Sequence, residues 1–402
     1  MTYSELHDPS ALRTLLDRSA RADAAAVQRA VASRAPSLEE AATLLAPAAS
    51  ALLEMLAGAA HDATVERFGR TLTMFAPLYL SNECVCTCTY CGFSQGLDIR
   101  RRTLRPDEVF AEAGVLAQRG FRNILLVSSE HPKRVPAPYV AACIAQAKRH
   151  APYVGLEIAA AEEADYRAYV DAGCDGVVLY QETYDPEVYA RHHLGGPKMR
   201  FGWRMDALER ASHAGVKHLG IGALLGLSDW RFEALAILAH ARHLERACWR
   251  SQVNVSLPRI NPAAGGFVAD HPVTDRDFVH MLCFLRIALP TAGIVLSTRE
   301  RPDFRDRVIP LGVTQVSAGS STEPGGYEQP GEAGEQFELE DTRTPQEVAL
   351  RLRAMGYDPV FKDWEVMTAQ GAAARRAASS SSRTASRAPR RKARRLLTSC
   401  AA

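Results

Sequence analysis

From about residue 71 onward, short apolar runs alternate with longer amphipathic stretches. The apolar runs fall at 73–80, 122–128, 154–160, 176–182, 218–225, 253–258, 293–298 and 312–318. Runs of this length, apolar throughout rather than alternating, suit strands buried on both faces of a parallel sheet. Between them, helical spacing of apolar residues covers 106–118, 137–149, 163–172, 185–193 with 201–214, 231–247, 274–288 and 302–308. Eight strand–helix units over roughly 250 residues predict an α/β fold, a (β/α)8 TIM-type barrel. An open doubly wound sheet is the alternative, but no G-x-G-x-x-G follows the first strand.

Upstream, residues 1–70 predict an N-terminal helical region. Ser37-Leu38-Glu39-Glu40 is a capping box, and Leu44, Leu45, Leu52, Leu53 and Leu56 then recur at helical spacing. The predicted organisation is therefore helices over 1–70, the barrel over 71–320, a C-terminal flap packed on it over 321–370, and a tail over 371–402. The tail is rich in Ala, Ser and Arg and lacks the apolar content needed to offset its ordering entropy, so disorder is expected there.

Charge sharpens that division. The formal net charge is +2, yet the tail carries nine basic residues and no acidic one, leaving −7 on residues 1–370. A basic tail can bind nucleic acid. No aromatic residues are interleaved with it and no binding fold accompanies it, so no nucleic-acid partner is expected. The N-terminus has neither a basic nor an apolar signal segment, and no apolar run approaches the ~20 residues that span a bilayer. Nine cysteines without a secretion signal then point to a reducing, cytoplasmic setting and no membrane.

Barrel active sites gather at the C-terminal ends of strands. Strand one runs into Cys84-Val85-Cys86-Thr87-Cys88-Thr89-Tyr90-Cys91-Gly92-Phe93. Closely spaced thiolates on a loop are soft ligands suited to iron–sulfur clusters or zinc. Cys84, Cys88 and Cys91 read C-x3-C-x2-C. Three thiolates on a four-iron cube leave one iron open, the arrangement by which a metal site meets a substrate. A zinc knot in a binding module is the competing reading. It ordinarily wants a second ligand pair downstream, and Cys143, Cys174, Cys248, Cys283 and Cys400 stand alone.

Other strand ends carry further polar groups. Strand two ends in Ser128-Ser129-Glu130, which reads either as a ligand-binding segment or as a helix cap. Strand three ends near Glu157, a carboxylate costly to bury without a partner. Strand four ends near Glu182, with Arg204 following. Arg259, Arg299 and Ser317 close strands six to eight, and arginines there suit an anionic group such as an amino-acid carboxylate. Each arginine could instead cap an ion pair at the barrel top. Arg191-His192-His193 is a poor metal site, because adjacent helical positions point apart.

The cysteine spacing, with Tyr90 just before the last cysteine, resembles the radical S-adenosylmethionine (SAM) superfamily. Several further segments are similar to its aromatic-amino-acid lyase branch, in particular the 2-iminoacetate synthase family of tyrosine lyases in thiamine biosynthesis. They include Pro77-Leu78-Tyr79-Leu80-Ser81-Asn82, Tyr180-Gln181-Glu182-Thr183-Tyr184, Tyr189-Ala190-Arg191-His192-His193-Leu194 and Leu227-Ser228-Asp229-Trp230. Leu296-Ser297-Thr298-Arg299-Glu300, Pro324-Gly325-Gly326-Tyr327 and Lys362-Asp363-Trp364 belong to the same set.

The resemblance covers residues 8–368 and implies a 4Fe–4S cluster on Cys84, Cys88 and Cys91. It implies SAM held by Tyr90, Ser128, Ser129, Glu130, Glu157, Glu182 and Arg204. It places Arg299 and Ser317, with Arg259 at the same mouth, around L-tyrosine. The implied reaction cleaves the Cα–Cβ bond to 2-iminoacetate and 4-cresol, as SAM becomes methionine and 5′-deoxyadenosine. Implied partners are a thiazole synthase and a flavodoxin or ferredoxin-type electron donor. Hydrogenase-maturation relatives carry three more cysteines in a C-terminal domain. Here only Cys400 follows Cys283, which favours the thiamine branch over that one; a tryptophan lyase stays as an alternative.

Overall fold

The computed structural model describes residues 1–33 and 35–361. The expected tail and Lys362-Asp363-Trp364 lie outside that range. Eight parallel strands form the barrel: β1 (Thr71–Ser81), β2 (Asn123–Ser128), β3 (Tyr153–Glu157), β4 (Gly176–Val178), β5 (His218–Gly222), β6 (Gln252–Ser256), β7 (Gly293–Leu296) and β8 (Gln315–Ser317). Neighbours in the chain are neighbours in the sheet, and β8 returns to β1 through the pairs Thr73 with Gln315, Met74 with Val316 and Phe75 with Ser317. Closure removes every edge but one. The exception is the start of β1, whose Thr71–Thr73 pairs a short outer strand, Asp358–Val360.

The crossover helices follow the apolar periodicity closely, at Pro106–Gln118, Ala137–Ala147, Glu163–Asp171, Trp230–Ala247, Asp275–Ala288 and Pro302–Val308. The strands after β1 are shorter than their apolar runs. The fourth ends at Val178 rather than 182, and the eighth covers only Gln315–Ser317. Pairing nevertheless goes on past the fourth strand, where the Leu179 and Gln181 N–H groups donate to the Gly220 and Gly222 carbonyls at 2.8 and 3.0 Å. The expected helix 185–193 stops at His192, and His193–Gly195 turns into a short strand instead.

The N-terminal helices cover one side of the barrel. Ser37 Oγ accepts from the Glu40 N–H at 3.1 Å, and the Glu40 carboxylate accepts from the Ser37 N–H at 2.7 Å, which starts the helix Leu38–Thr43. Helix Leu53–Phe68 packs on Asp275–Ala288 and ends at Gly69, whose φ of 62° suits only a residue without a side chain. Beneath the barrel, fully buried Arg286 donates to the carbonyls of Gly312, Leu289, Pro290 and Ala292. The segment after β8 crosses the barrel mouth. Its Gln336 N–H bonds back to the Thr322 carbonyl, and its Glu338 N–H reaches the Pro262 carbonyl.

Candidate active site

The cysteine loop leaves the top of β1 and is held from three sides. Arg101 donates to the carbonyls of Asn82, Phe93, Ser94 and Leu97, so one guanidinium spans both ends of the loop. Thr87–Cys88 pairs antiparallel with His193–Gly195. The Val85 N–H bonds to the Glu130 carbonyl at 2.9 Å, which ties the loop to the Ser128-Ser129-Glu130 segment beyond β2.

The adjacent histidines serve this frame rather than a metal. His192 Nδ1 lies 2.8 Å from Thr89 Oγ1. Burial and nearby Lys198 hold His193 neutral, at about 3. Its Nδ1–H donates to the Tyr189 carbonyl at 2.7 Å, so Nε2 accepts the Tyr90 hydroxyl at 2.8 Å. Tyr90 is thereby fixed beside Cys91.

Cys84, Cys86, Cys88 and Cys91 line a cavity of about 610 Å³ whose other walls include Ser128, Ser129, Glu130, Glu157, Glu182 and Arg204. Cys84 Sγ accepts from the Cys86 N–H, and Cys91 Sγ from the Phe93 N–H, both at 3.4 Å. The Cys86 thiol donates to Cys84 and lowers its thiol to about 6, whereas burial pushes Cys88 up to about 12 and raises Cys91. Thiols that open onto one cavity, with backbone N–H groups already aimed at sulfur, fit an iron–sulfur cube. Among the described residues, no three Cys, His, Asp or Glu side chains gather closely enough to hold a single metal ion.

The opposite wall is a charge cluster. Glu182 Oε1 sits 2.7 Å from Lys198 Nζ and 3.4 Å from Arg204 Nη2, and Arg204 Nε also donates to the Tyr180 carbonyl at 2.8 Å. Burial pushes the Glu182 carboxyl up, but Lys198 and Arg204 more than offset this and leave it below its usual range. Glu182 has φ of 71°, rare for a residue with a side chain. The next residues are clamped by Glu233, which accepts from the Thr183 hydroxyl and from the Tyr184 N–H at 3.0 Å.

A second cavity, also about 610 Å³, opens beside the first. It is lined by apolar side chains such as Phe75, Leu125 and Leu257, together with Arg299, Ser317 and Ser320. Glu157 and Tyr180 border both cavities. Arg299 lies flat on Phe337, its Cζ 3.3 Å from the ring centroid, and donates to the Arg259 carbonyl at 3.3 Å. Ser317 Oγ accepts from the Thr298 N–H at 3.1 Å.

Arg259 is placed differently from the expectation. Its guanidinium is ion-paired with Glu300 and Asp275 and stands over the rings of Phe278 and Phe304, away from both cavities. Two carboxylates claim its donors, so only its backbone reaches the site, through Arg299. Two contributors had no signal in the pattern of strands. Lys198 sits in a single 3₁₀ turn, Pro197–Met199. Gln336 comes from the crossing segment, where it accepts from the Tyr79 hydroxyl at 2.7 Å and approaches Cys91 Sγ at 3.9 Å. Gly92 allows that approach, since a Cβ there would stand 2.4 Å from the Gln336 carbonyl oxygen.

Comparison with known proteins agrees with this geometry. The Radical SAM superfamily pattern matches residues 78–239, and that of the Biotin and Thiamin Synthesis associated domain matches 256–358. The 2-iminoacetate synthase of Escherichia coli (strain K12) is 41% identical over 343 residues, covering 85% of this chain and 91% of the relative. The chain belongs to the 2-iminoacetate synthase family of radical SAM enzymes. Its family member from Salmonella typhimurium is 38% identical over 353 residues, covering 88% of this chain and 94% of the relative. Among solved structures, the FeFe-hydrogenase maturase HydG from Carboxydothermus hydrogenoformans superposes with a TM-score of 0.80 at 34% identity, covering 88% of this chain and 85% of that one. A second HydG structure gives 0.84 at 33%, covering 88% and 80%. The radical SAM family implies a 4Fe–4S cluster and SAM, and the donor set lining the first cavity fits both.

Proposed function

We propose that this chain is a 2-iminoacetate synthase, a carbon–carbon lyase that cleaves the Cα–Cβ bond of L-tyrosine to 2-iminoacetate and 4-cresol for thiazole synthesis. The observation that carries this reading is the sharing of Glu157 and Tyr180 between the cysteine-lined cavity and the Arg299 cavity. A group generated over the cysteines needs no transit to reach a substrate held by Arg299.

When bound, the cluster and SAM supply one reducing electron and a carbon-centred radical that takes a hydrogen atom from the substrate. Cys84, Cys88 and Cys91 would hold the cube, with Cys86 left over. Ser128-Ser129-Glu130 would receive the methionine end of SAM. Glu182, Lys198 and Arg204 form a ready-made polar wall for its ribose and carboxylate, and Tyr90 one for its adenine. Arg299 and Ser317 would take the carboxylate of tyrosine, the planar guanidinium matching two oxygens at once. The apolar walls exclude water, which a reactive radical requires.

A thiazole synthase would consume the unstable imine, and a flavodoxin or ferredoxin-type protein would supply the electron. Among the described residues no helix is long and apolar enough to cross a membrane. The test is anaerobic incubation with SAM, a reductant and tyrosine, assaying 4-cresol and 5′-deoxyadenosine together. Deoxyadenosine without cresol would retain the SAM chemistry and refute tyrosine as the substrate.

A further inference from the structure

The fold gives several buried charges at the barrel mouth a partner. Glu182 is paired with Lys198 and Arg204, Glu300 with Arg259, and Asp341 with Arg305 and Arg343. Glu233 is satisfied by Thr183 and Tyr184. The Glu130 carboxylate on the cysteine cavity has no such partner among the described residues, and two groups lining the Arg299 cavity differ likewise. Among the described residues, the Glu157 carboxylate has no hydrogen bond or ion pair, and the Arg299 guanidinium has no carboxylate within ion-pair distance. They border the same space without touching each other.

One unpaired anion and one unpaired cation across a small, largely apolar cavity form a template for a zwitterion. An α-amino acid presents both charges on a single carbon. Burying either protein group alone is costly, and a ligand of matching polarity removes both costs at once. The cofactor side needs no further carboxylate, because Glu130 and the Glu182 cluster already line it. We infer that Glu157 is the counter-ion of the substrate's α-ammonium group, as Arg299 is of its α-carboxylate.

This assigns Glu157 to the substrate rather than to SAM, and it rests on the amino-acid lyase reading above. Glu157 lines the cysteine cavity as well, so the amino group it holds is the part of the substrate turned toward the cofactor. The aromatic side chain is left to the apolar walls. Burial pushes the Glu157 carboxyl up to about 7, with Arg299 opposing, which is the state of a carboxylate awaiting a cation.

The experiment is equilibrium dialysis on the anaerobic, cluster-loaded enzyme with SAM present. Three probes are used: L-tyrosine, 3-(4-hydroxyphenyl)propionate, which lacks the amino group, and tyramine, which lacks the carboxylate. The wild type is expected to bind tyrosine about tenfold or more tighter than the deaminated analogue, since a site built for a polar group rejects the ligand without it. Glu157→Gln is expected to bring that ratio close to one. Its affinities for the deaminated analogue and for SAM should stay unchanged, which also shows that it is folded. Arg299→Lys should keep the preference for an amino group and lose the preference for tyrosine over tyramine. A Glu157→Gln protein that keeps the tyrosine preference but binds SAM more weakly would overturn the assignment and leave the lyase reading intact. A wild type that binds no tyrosine overturns both.

Discussion

Lys198 Nζ lies 2.7 Å from Glu182 Oε1, and Glu182 holds that position with a backbone φ of 71°. A residue with a side chain adopts this conformation at a cost of about 1–3 kcal/mol, so the surroundings must impose it. They do so through Glu233, which binds the next two residues, and through the two cations that grip the Glu182 carboxylate. The pair is a buried, oriented charge facing the cofactor cavity. Lys198→Met should leave Glu182 with Arg204 alone and weaken SAM binding by roughly ten- to a hundredfold, the range for a lost charge-assisted contact. Iron content should not change. Isothermal titration with SAM, beside iron analysis, reads both.

The cysteines divide three to one. Cys88→Ala should abolish cluster binding and all SAM cleavage, seen as loss of iron, sulfide and the brown absorbance of anaerobic protein. Cys86→Ala should keep the iron, because Cys86 is the spare thiol. Cys86 also packs against Gly196, where a Cβ would meet its sulfur at 2.8 Å, so some loss of stability is expected. An iron-free Cys86→Ala protein would show that the ligand triad is a different one.

Glu233 makes stability depend on pH. Burial lifts its carboxyl to about 8 from an ordinary 4.5. Between these values the folded chain holds a proton that the unfolded chain has released, so stability falls as pH rises from about 4.5 to 8 and levels off above. Glu233→Gln cannot ionise and still offers an oxygen to Thr183 or Tyr184. The wild-type Tm should therefore drop between pH 5.5 and 8 by a few °C more than that of the variant. Parallel curves in a thermal-shift series would refute the buried titration.

Arg286 is the structural counterpart beneath the barrel. Burial draws its guanidinium down to about 10, and carbonyl oxygens are its hydrogen-bond partners. Arg286→Met would strip the guanidinium's hydrogen bonds from the Gly312, Pro290 and Ala292 carbonyls, for a loss of about 3–5 kcal/mol. Denaturant unfolding measures it. SAM binding per folded molecule should be unchanged, because Arg286 lies at the opposite end of the barrel from the cysteines.

The eight-unit barrel and its helices were legible from residue order alone. Parallel strands are buried on both faces and helices on one, so burial writes two distinct periods into the chain. The cysteine spacing was equally local, since its ligands sit within eight positions. Which polar groups meet was decided only in three dimensions. Arg259 and Arg299 occupy equivalent strand ends, yet Glu300 and Asp275 take the first and leave the second facing the cavity. Lys198 comes from a 3₁₀ turn and Gln336 from a loop, and neither segment follows a hydrophobic period. Glu157 looked in sequence like any costly buried carboxylate, and its lack of a partner appears only when every neighbouring charge is in place. Periodicity records burial, which each residue experiences on its own; pairing depends on residues distant in the chain, and no one-dimensional pattern carries it.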